Sequence, residues 1–181
     1  MGQRVALDWY FPSPHGRYVA FGTSQNGDER STLQIVEVAT GRVLPERVAH
    51  TKWCRASWLD SEDGLYYTRY PREGEPNYDA ARPDGYFPRV FFHRLGTNPA
   101  LDPLVFGGTE PTDFPEPAVS SDDRHLVVNL FKGWSKSEVY LFDRRARQAR
   151  AARPVAVVAG RDSLNSAMVH GGRLYLLTNE G

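Results

Sequence analysis

One serine in this chain lies in a segment that comes close to a nucleophile motif. Serine hydrolases of the α/β type hold the nucleophile in a Gly-x-Ser-x-Gly turn between a strand and a helix, because the glycines permit a sharp turn and close backbone approach. The nearest match here is Gly133-Trp134-Ser135-Lys136-Ser137, in which Ser137 replaces the second glycine. The segment also lies between two predicted strands. We therefore predict an ordinary loop and assign no catalytic residue to this chain.

The histidines and the cysteine give no metal-binding pattern. The five histidines occur singly, and none forms an H-E-x-x-H or H-x-H arrangement; they are His15, His50, His93, His125 and His170. Cys54 is the single cysteine, so an internal disulfide and a thiolate-rich metal site are both excluded. No glycine-rich phosphate loop leads from a strand into a helix. The sequence predicts no metal and no cofactor, and it predicts that His93, inside an aromatic strand, is a core histidine.

Three acidic residues lie close together, which raises the question of acid–base chemistry. Asp60, Glu62 and Asp63 fall in a predicted turn between two strands. Because the three residues belong to a turn, the sequence argues against general acid–base catalysis here. We predict a structural turn here.

Charge and composition exclude several classes of partner. Lys plus Arg and Asp plus Glu balance at 22 each, which argues against nucleic acid or an anionic membrane as the main partner. The one basic cluster, residues 144–150, is predicted to be a solvated loop. No apolar run approaches the roughly 18 residues that span a bilayer, and no signal-peptide core follows the N-terminus. We expect a soluble protein, and the cysteine usage fits a cytoplasmic location.

The elements that position these residues follow from a strand-turn-strand phrase that recurs along the chain. Its copies span residues 10–22, 56–68, 117–128 and, more faintly, 167–177. The spacing of roughly 45 to 60 residues is typical of propeller blades. Alternating segments such as 32–38 predict half-buried strands, with Gly41 in a turn that needs a positive φ. Since no segment has a convincing helical period with caps, we predict an all-β chain.

Residues 71–88 interrupt the pattern with a long polar segment rich in proline and glycine. Long loops in compact domains are usually functional or mobile, although a variable surface insertion explains the segment equally simply. Both readings stay open.

Four phrases give the chain a family resemblance. Residues 8–22 are similar to the D-W-x-x-P-S-P-D-G-x-Y-x-A-Y-G opening of the prolyl oligopeptidase propeller, and residues 24–33 to its S-x-x-G-x-E-x-S-T-L phrase. Residues 64–71 resemble G-x-x-Y-T-R-Y-P, and residues 90–99 resemble V-Y-Y-H-x-L-G-T-x-P. Two departures occur in turns: His15 replaces an aspartate and Asp123 replaces a glycine. Both are tolerable, because aspartate can adopt left-handed backbone angles and His15 lies on a loop.

The resemblance implies a partial β-propeller. Family members are cytosolic serine peptidases that cut short peptides after proline, and they carry a seven-bladed propeller inserted into an α/β-hydrolase domain. This chain would supply about three to four blades of four-stranded antiparallel sheet. We place them at about 5–50, 51–110 and 111–160, with the start of another at 161–181. The hydrolase domain with its Ser, Asp and His would lie outside the chain.

The resemblance also singles out one candidate site residue. Tyr66 falls where the family carries an aromatic residue that reaches the substrate-binding cleft. The alternative is that Tyr66 is one more blade-core aromatic. Strand alternation sends Tyr66 and Tyr67 to opposite faces, so the two tyrosines need not share a role.

Two functions remain open on the sequence alone. The first is a segment of a prolyl oligopeptidase-type enzyme that caps the active site and limits access to short proline-containing peptides. The second is a free-standing β-propeller-like module that binds proteins without peptidase activity. The strands at both ends look like internal blade strands without a polar cap, so we expect the isolated chain to self-associate.

Overall fold

Each of the four repeated phrases forms a β-hairpin in the computed structural model, which describes residues 4–145 and 153–180. The hairpins pair antiparallel and extend into four sheets in chain order. The first sheet contains β1 (Val5–Pro12), β2 (Tyr18–Gln25) and β3 (Thr32–Glu37). The second contains β4 (Ala56–Trp58), β5 (Gly64–Arg69), β6 (Arg89–Arg94) and β7 (Leu104–Gly107).

The second half of the chain repeats this order. The third sheet contains β8 (Asp113–Val119), β9 (His125–Lys132), β10 (Lys136–Asp143) and β11 (Val155–Val158). The fourth contains β12 (Asn165–His170) and β13 (Arg173–Thr178). The described residues include one short 3-10 helix, Pro99–Leu101, and no helix long and apolar enough to cross a membrane. The predicted all-β, partly built propeller is confirmed.

The first sheet differs from the others at its outer edge. The segment after Gly41 pairs with β3 through two isolated bridges, Val36 to Val43 and Leu33 to Val48, and forms no fourth strand among the described residues. Gly41 turns the chain there with a φ of 68°, as the sequence predicted. The blade limits drawn from the sequence stay a prediction.

The core lies between successive sheets, and β5 shows how alternation builds it. All six residues of β5 are buried, because neighbouring sheets cover both of its faces. Tyr67 packs toward the first sheet, in a cluster with Leu33 and Ile35. Tyr66 packs toward the third sheet, with Leu126 and Phe142. A smaller cluster joins the third and fourth sheets.

Carboxylates also join the sheets at the end where the four hairpin turns lie, here called the turn end. Glu62 accepts hydrogen bonds from the Ser13 hydroxyl and from the His15 amide, at 2.9 Å. One repeat later, Asp123 accepts from the Asp60 amide at 2.7 Å. Glu62 and Asp123 have φ of 57° and 56°. The substitution of Asp123 for a glycine is therefore tolerated as predicted, and it adds a link between turns.

The outer faces of the first and last sheets are uncovered in the described structure. Val5, Leu7 and Tyr10 of β1 are each more than 60% exposed. At the other end of the array, Met168 of β12 is 60% exposed and Leu177 of β13 is 75% exposed. These faces have the apolar composition of the faces that are buried between sheets.

Candidate functional site

Tyr66 lies in the wall between the second and third sheets. Its side chain is 7% exposed, and its ring packs against Phe92 with centroids 4.9 Å apart. The hydroxyl accepts a hydrogen bond from Nε of Arg144 at 2.8 Å. The ring thus belongs to the core cluster, while the hydroxyl reaches a cavity. The predicted contact of Tyr66 with substrate stays a prediction.

The cavity beside Tyr66 opens at the turn end and encloses about 580 Å³. The apolar part of its lining comes from both sheets: Phe92, Leu104, Val105, Leu126 and Phe142. Polar side chains also line it: Arg94, Thr97, Asn98, Asp102, Asp143 and Arg144. Its volume is within the range of small-molecule and peptide sites, about 300–1,000 Å³.

Arg144 differs from the solvated loop residue that the sequence predicted. Its side chain is only 19% exposed, since it stacks near the Tyr66 ring and donates to the Asp123 carbonyl oxygen. Arg145, its neighbour, is exposed as predicted. Residues 146–150 of the basic cluster lie outside the described residues. The sequence signal that would have revealed Arg144 is its position directly after β10, facing an aromatic-rich neighbour.

A buried polar network lies behind the cavity. Asp102 accepts a hydrogen bond from the Tyr67 hydroxyl at 2.8 Å, and its carboxylate lies 3.0 Å from Nδ1 of His93. Burial and the Asp102 charge raise the pKa of Tyr67, so this phenol stays protonated and donates. His93 is fully buried, as predicted for a core histidine, although its Nε2 has no partner among the described residues. Asp102 was missed by the sequence reasoning, because it follows the strand in an irregular turn.

The segment 71–88 is fastened to the sheets at several points. Arg69, 3% exposed, forms two 2.7 Å hydrogen bonds with the Glu75 carboxylate. These bonds outweigh burial and lower the pKa of Glu75 to about 2. Further along, Asp84 lies 2.6 Å from Nδ1 of His50. The sequence signal that could have revealed the buried Arg69–Glu75 pair is Arg69 itself, a charged residue within the otherwise apolar segment 64–70.

The end of the sheets that carries this segment, here called the loop end, also presents two exposed tryptophans. Trp53 is 58% exposed beside Lys52, whose Nζ lies 4.6 Å from the ring centroid. Trp134 is 99% exposed at the tip of the β9–β10 hairpin. Ser135 is exposed in that hairpin, between two strands as predicted. The sequence reasoning had not singled out either tryptophan as a surface residue.

The remaining predicted residues have structural surroundings. Glu62 is buried among hydrogen-bond donors of the neighbouring turn, while Asp60 and Asp63 are partly or fully exposed. Burial raises the pKa of the Cys54 thiol to about 12. Within residues 4–145 and 153–180 no group of histidine, cysteine and acidic side chains is arranged to hold a metal ion.

Four successive antiparallel sheets, with three, four, four and two strands among the described residues and with their hairpin turns at one end, define an incomplete β-propeller. The family model described as "Prolyl oligopeptidase, N-terminal beta-propeller domain" matches residues 1–181. The chain belongs to this family.

Curated relatives with similar sequences are prolyl endopeptidases and prolyl oligopeptidases. The chain is 29% identical over 167 residues to a prolyl endopeptidase of Elizabethkingia meningoseptica, covering 91% of this chain and 23% of that protein. It is 27% identical over 151 residues to prolyl oligopeptidase A of Amanita bisporigera, covering 75% and 20%.

Solved structures of prolyl endopeptidases and prolyl oligopeptidases superpose on most of this chain. A structure from a study of two prolyl endopeptidases superposes with a TM-score of 0.81 at 25% identity, covering 97% of this chain and 25% of that one. Prolyl oligopeptidase B of Galerina marginata, bound to a 35-residue substrate, superposes at 0.80 with 20% identity and shares the fold. The chain thus spans about a quarter of the length of these relatives.

Proposed function

We propose that this chain is the propeller segment of a serine endopeptidase that cleaves short peptides after proline, and that its role is to cap the active site. The family match along residues 1–181 carries this proposal. Catalysis would belong to a Ser, His and Asp of a hydrolase domain outside residues 1–181. The parent protein would act in the cytoplasm.

A packed propeller excludes large substrates by simple geometry. Each pair of successive sheets is sealed by a buried apolar cluster, so a folded protein cannot pass between them. Short peptides would reach the catalytic domain through the remaining openings. The capping role therefore needs no catalytic group in this chain, only intact sheet-to-sheet packing.

We further propose that the loop end faces the catalytic domain. It combines the fastened segment 71–88 with the exposed rings of Trp53 and Trp134. Exposed aromatic rings mark binding surfaces in many proteins, since they bury large area at small entropic cost. The Tyr66 hydroxyl opens at the opposite, turn end, so with the loop end facing the catalytic domain Tyr66 would contact peptide away from the catalytic cleft, and the cleft contact implied by the resemblance is not part of this proposal.

The experiment is an assay of the full-length protein encoded by this gene. It should cleave a Gly-Pro reporter peptide and lose activity with a serine-reactive phosphonate. The reading frame downstream of Gly181 should encode further strands and a Gly-x-Ser-x-Gly turn. An inactive or phosphonate-insensitive full-length protein would contradict the proposal and favour a binding module.

A further inference from the structure

The cavity beside Tyr66 has donors that the protein itself does not use. Arg144 donates a hydrogen bond from Nε to the Tyr66 hydroxyl and another from Nη1 to the Asp123 carbonyl oxygen. Among the described residues, Nη2 of Arg144 and the hydroxyl hydrogen of Tyr66 have no hydrogen-bond acceptor. Two adjacent donors, one of them charged, are therefore available at the cavity wall.

The acidic groups of the same wall are already engaged. Asp102 accepts from Tyr67 and lies 3.0 Å from His93. Asp143, also in the lining, accepts from the Arg145 amide at 3.0 Å and lies 3.5 Å from the Arg124 guanidinium. Both acids therefore have partners of their own, whereas Nη2 of Arg144 and the Tyr66 hydroxyl hydrogen have none among the described residues. Such a wall favours an anionic acceptor, and guanidinium groups pair well with carboxylates.

The floor of the cavity selects the rest of the ligand. Phe92 and Leu104 of the second sheet face Leu126 and Phe142 of the third across the opening. An apolar side chain placed there gains by leaving water. The cavity of about 580 Å³ has room for a few residues of extended peptide.

We propose that this cavity binds the C-terminal end of a short peptide whose last residue is apolar. Tyr66 and Arg144 would bind the terminal carboxylate, and the floor between Phe92 and Phe142 would take the side chain. The inference rests on the proposed function in one respect, that the ligands of this protein are short peptides. It adds a second site, at the turn end, and needs no catalytic group.

The test is peptide binding to the 181-residue chain, measured by saturation-transfer difference NMR and isothermal calorimetry. The NMR measurement tolerates self-association of the protein. Acetyl-Ala-Ala-Leu with a free carboxylate should bind about tenfold more tightly than the same peptide with a C-terminal amide, the worth of one charge-assisted hydrogen bond.

Three variants locate the site. Arg144→Gln should abolish the preference for the free acid. Tyr66→Phe keeps the ring packing and should weaken acid binding severalfold, so it serves if Arg144→Gln fails to fold by circular dichroism. Arg161→Gln, an exposed arginine paired with Glu180 on the fourth sheet, is the control and should change nothing.

Equal affinity for acid and amide, an unchanged preference in both site variants, or no saturable binding at 10 mM peptide would each overturn the proposal. These results are independent of peptidase activity, which the full-length protein reports separately. A failed binding test with an active, phosphonate-sensitive parent would remove this site and leave the proposed function standing.

Discussion

The buried carboxylate of Glu62 should control the seam between the first two sheets. The perturbation is Glu62→Gln, which keeps the shape of the side chain and removes its charge. Glu62 is 2% exposed and accepts from Ser13, from the His15 amide at 2.9 Å and from the Arg17 amide at 3.4 Å. Hydrogen bonds to a charged acceptor contribute more than neutral ones, and the amide offers a single oxygen. We expect a loss of about 2 kcal/mol at this seam.

The assay is amide hydrogen exchange of His15 and Arg17, which reports local opening whether or not the chain self-associates. A loss of about 2 kcal/mol corresponds to roughly thirtyfold faster exchange at these two amides. The matched control is Glu180→Gln, whose exposed carboxylate pairs with Arg161 and should change stability by less than about 0.5 kcal/mol.

Lowering the pH should also weaken the seam between the first two sheets in the native protein. Burial alone would raise the pKa of Glu62, but the hydrogen bonds from Ser13, His15 and Arg17 outweigh it and lower the pKa below the ordinary value. A lowered pKa in the folded state means that the stabilisation is complete above the unfolded pKa, near 4.5, and is lost as pH falls through the folded pKa. The Glu62→Gln variant should lack this step. Unchanged exchange at His15 and Arg17 in the Glu62→Gln variant would show that the charge of Glu62 does not stabilise this seam.

Three further predictions concern other parts of the chain. Glu75→Gln leaves Arg69 buried without its full counter-charge, so chymotrypsin should cut segment 71–88, after Tyr78 or Tyr86, at least about tenfold faster, whereas Glu73→Gln, at an exposed neighbour, should not. Equal cleavage of both variants would show that the pair does not fasten the segment. The isolated chain should self-associate through the uncovered faces of β1 and β13, with Leu177→Asp weakening the association. Sedimentation velocity measures this, and a monomer that melts cooperatively would contradict it. Cys54, with a pKa of about 12, should resist a thiol reagent at pH 8 in the native chain and react after denaturation. Rapid native labelling would mean that this part of the core opens.

The strands could be predicted because their physical signals are local. Alternation in residues 32–38 places Leu33 and Ile35 inside, and in the structure both are almost completely buried. Gly41 predicted a turn, because few other residues adopt a positive φ without strain, and the structure has that turn. The four repeats predicted the order of the sheets along the chain, and the resemblance of the phrases to one family predicted the propeller.

The polar contacts between sheets could not be predicted from local signals. Glu62 meets Ser13 across 49 positions of sequence, and Arg144 meets Tyr66 across 78. Such pairs depend on how the sheets stack, which no periodicity encodes. This is why the role of the acidic turn as a link between turns was missed, and why Arg144 was expected in solvent.

If, as we propose, this segment restricts a peptidase to short substrates, the full-length protein should select its substrates by size. The same proline-containing sequence is presented as a peptide of about ten residues and as a surface loop of a stably folded protein. We expect rapid cleavage after proline in the peptide and none in the folded protein until that protein is denatured and fragmented. Equal cleavage of both substrates would contradict this proposal.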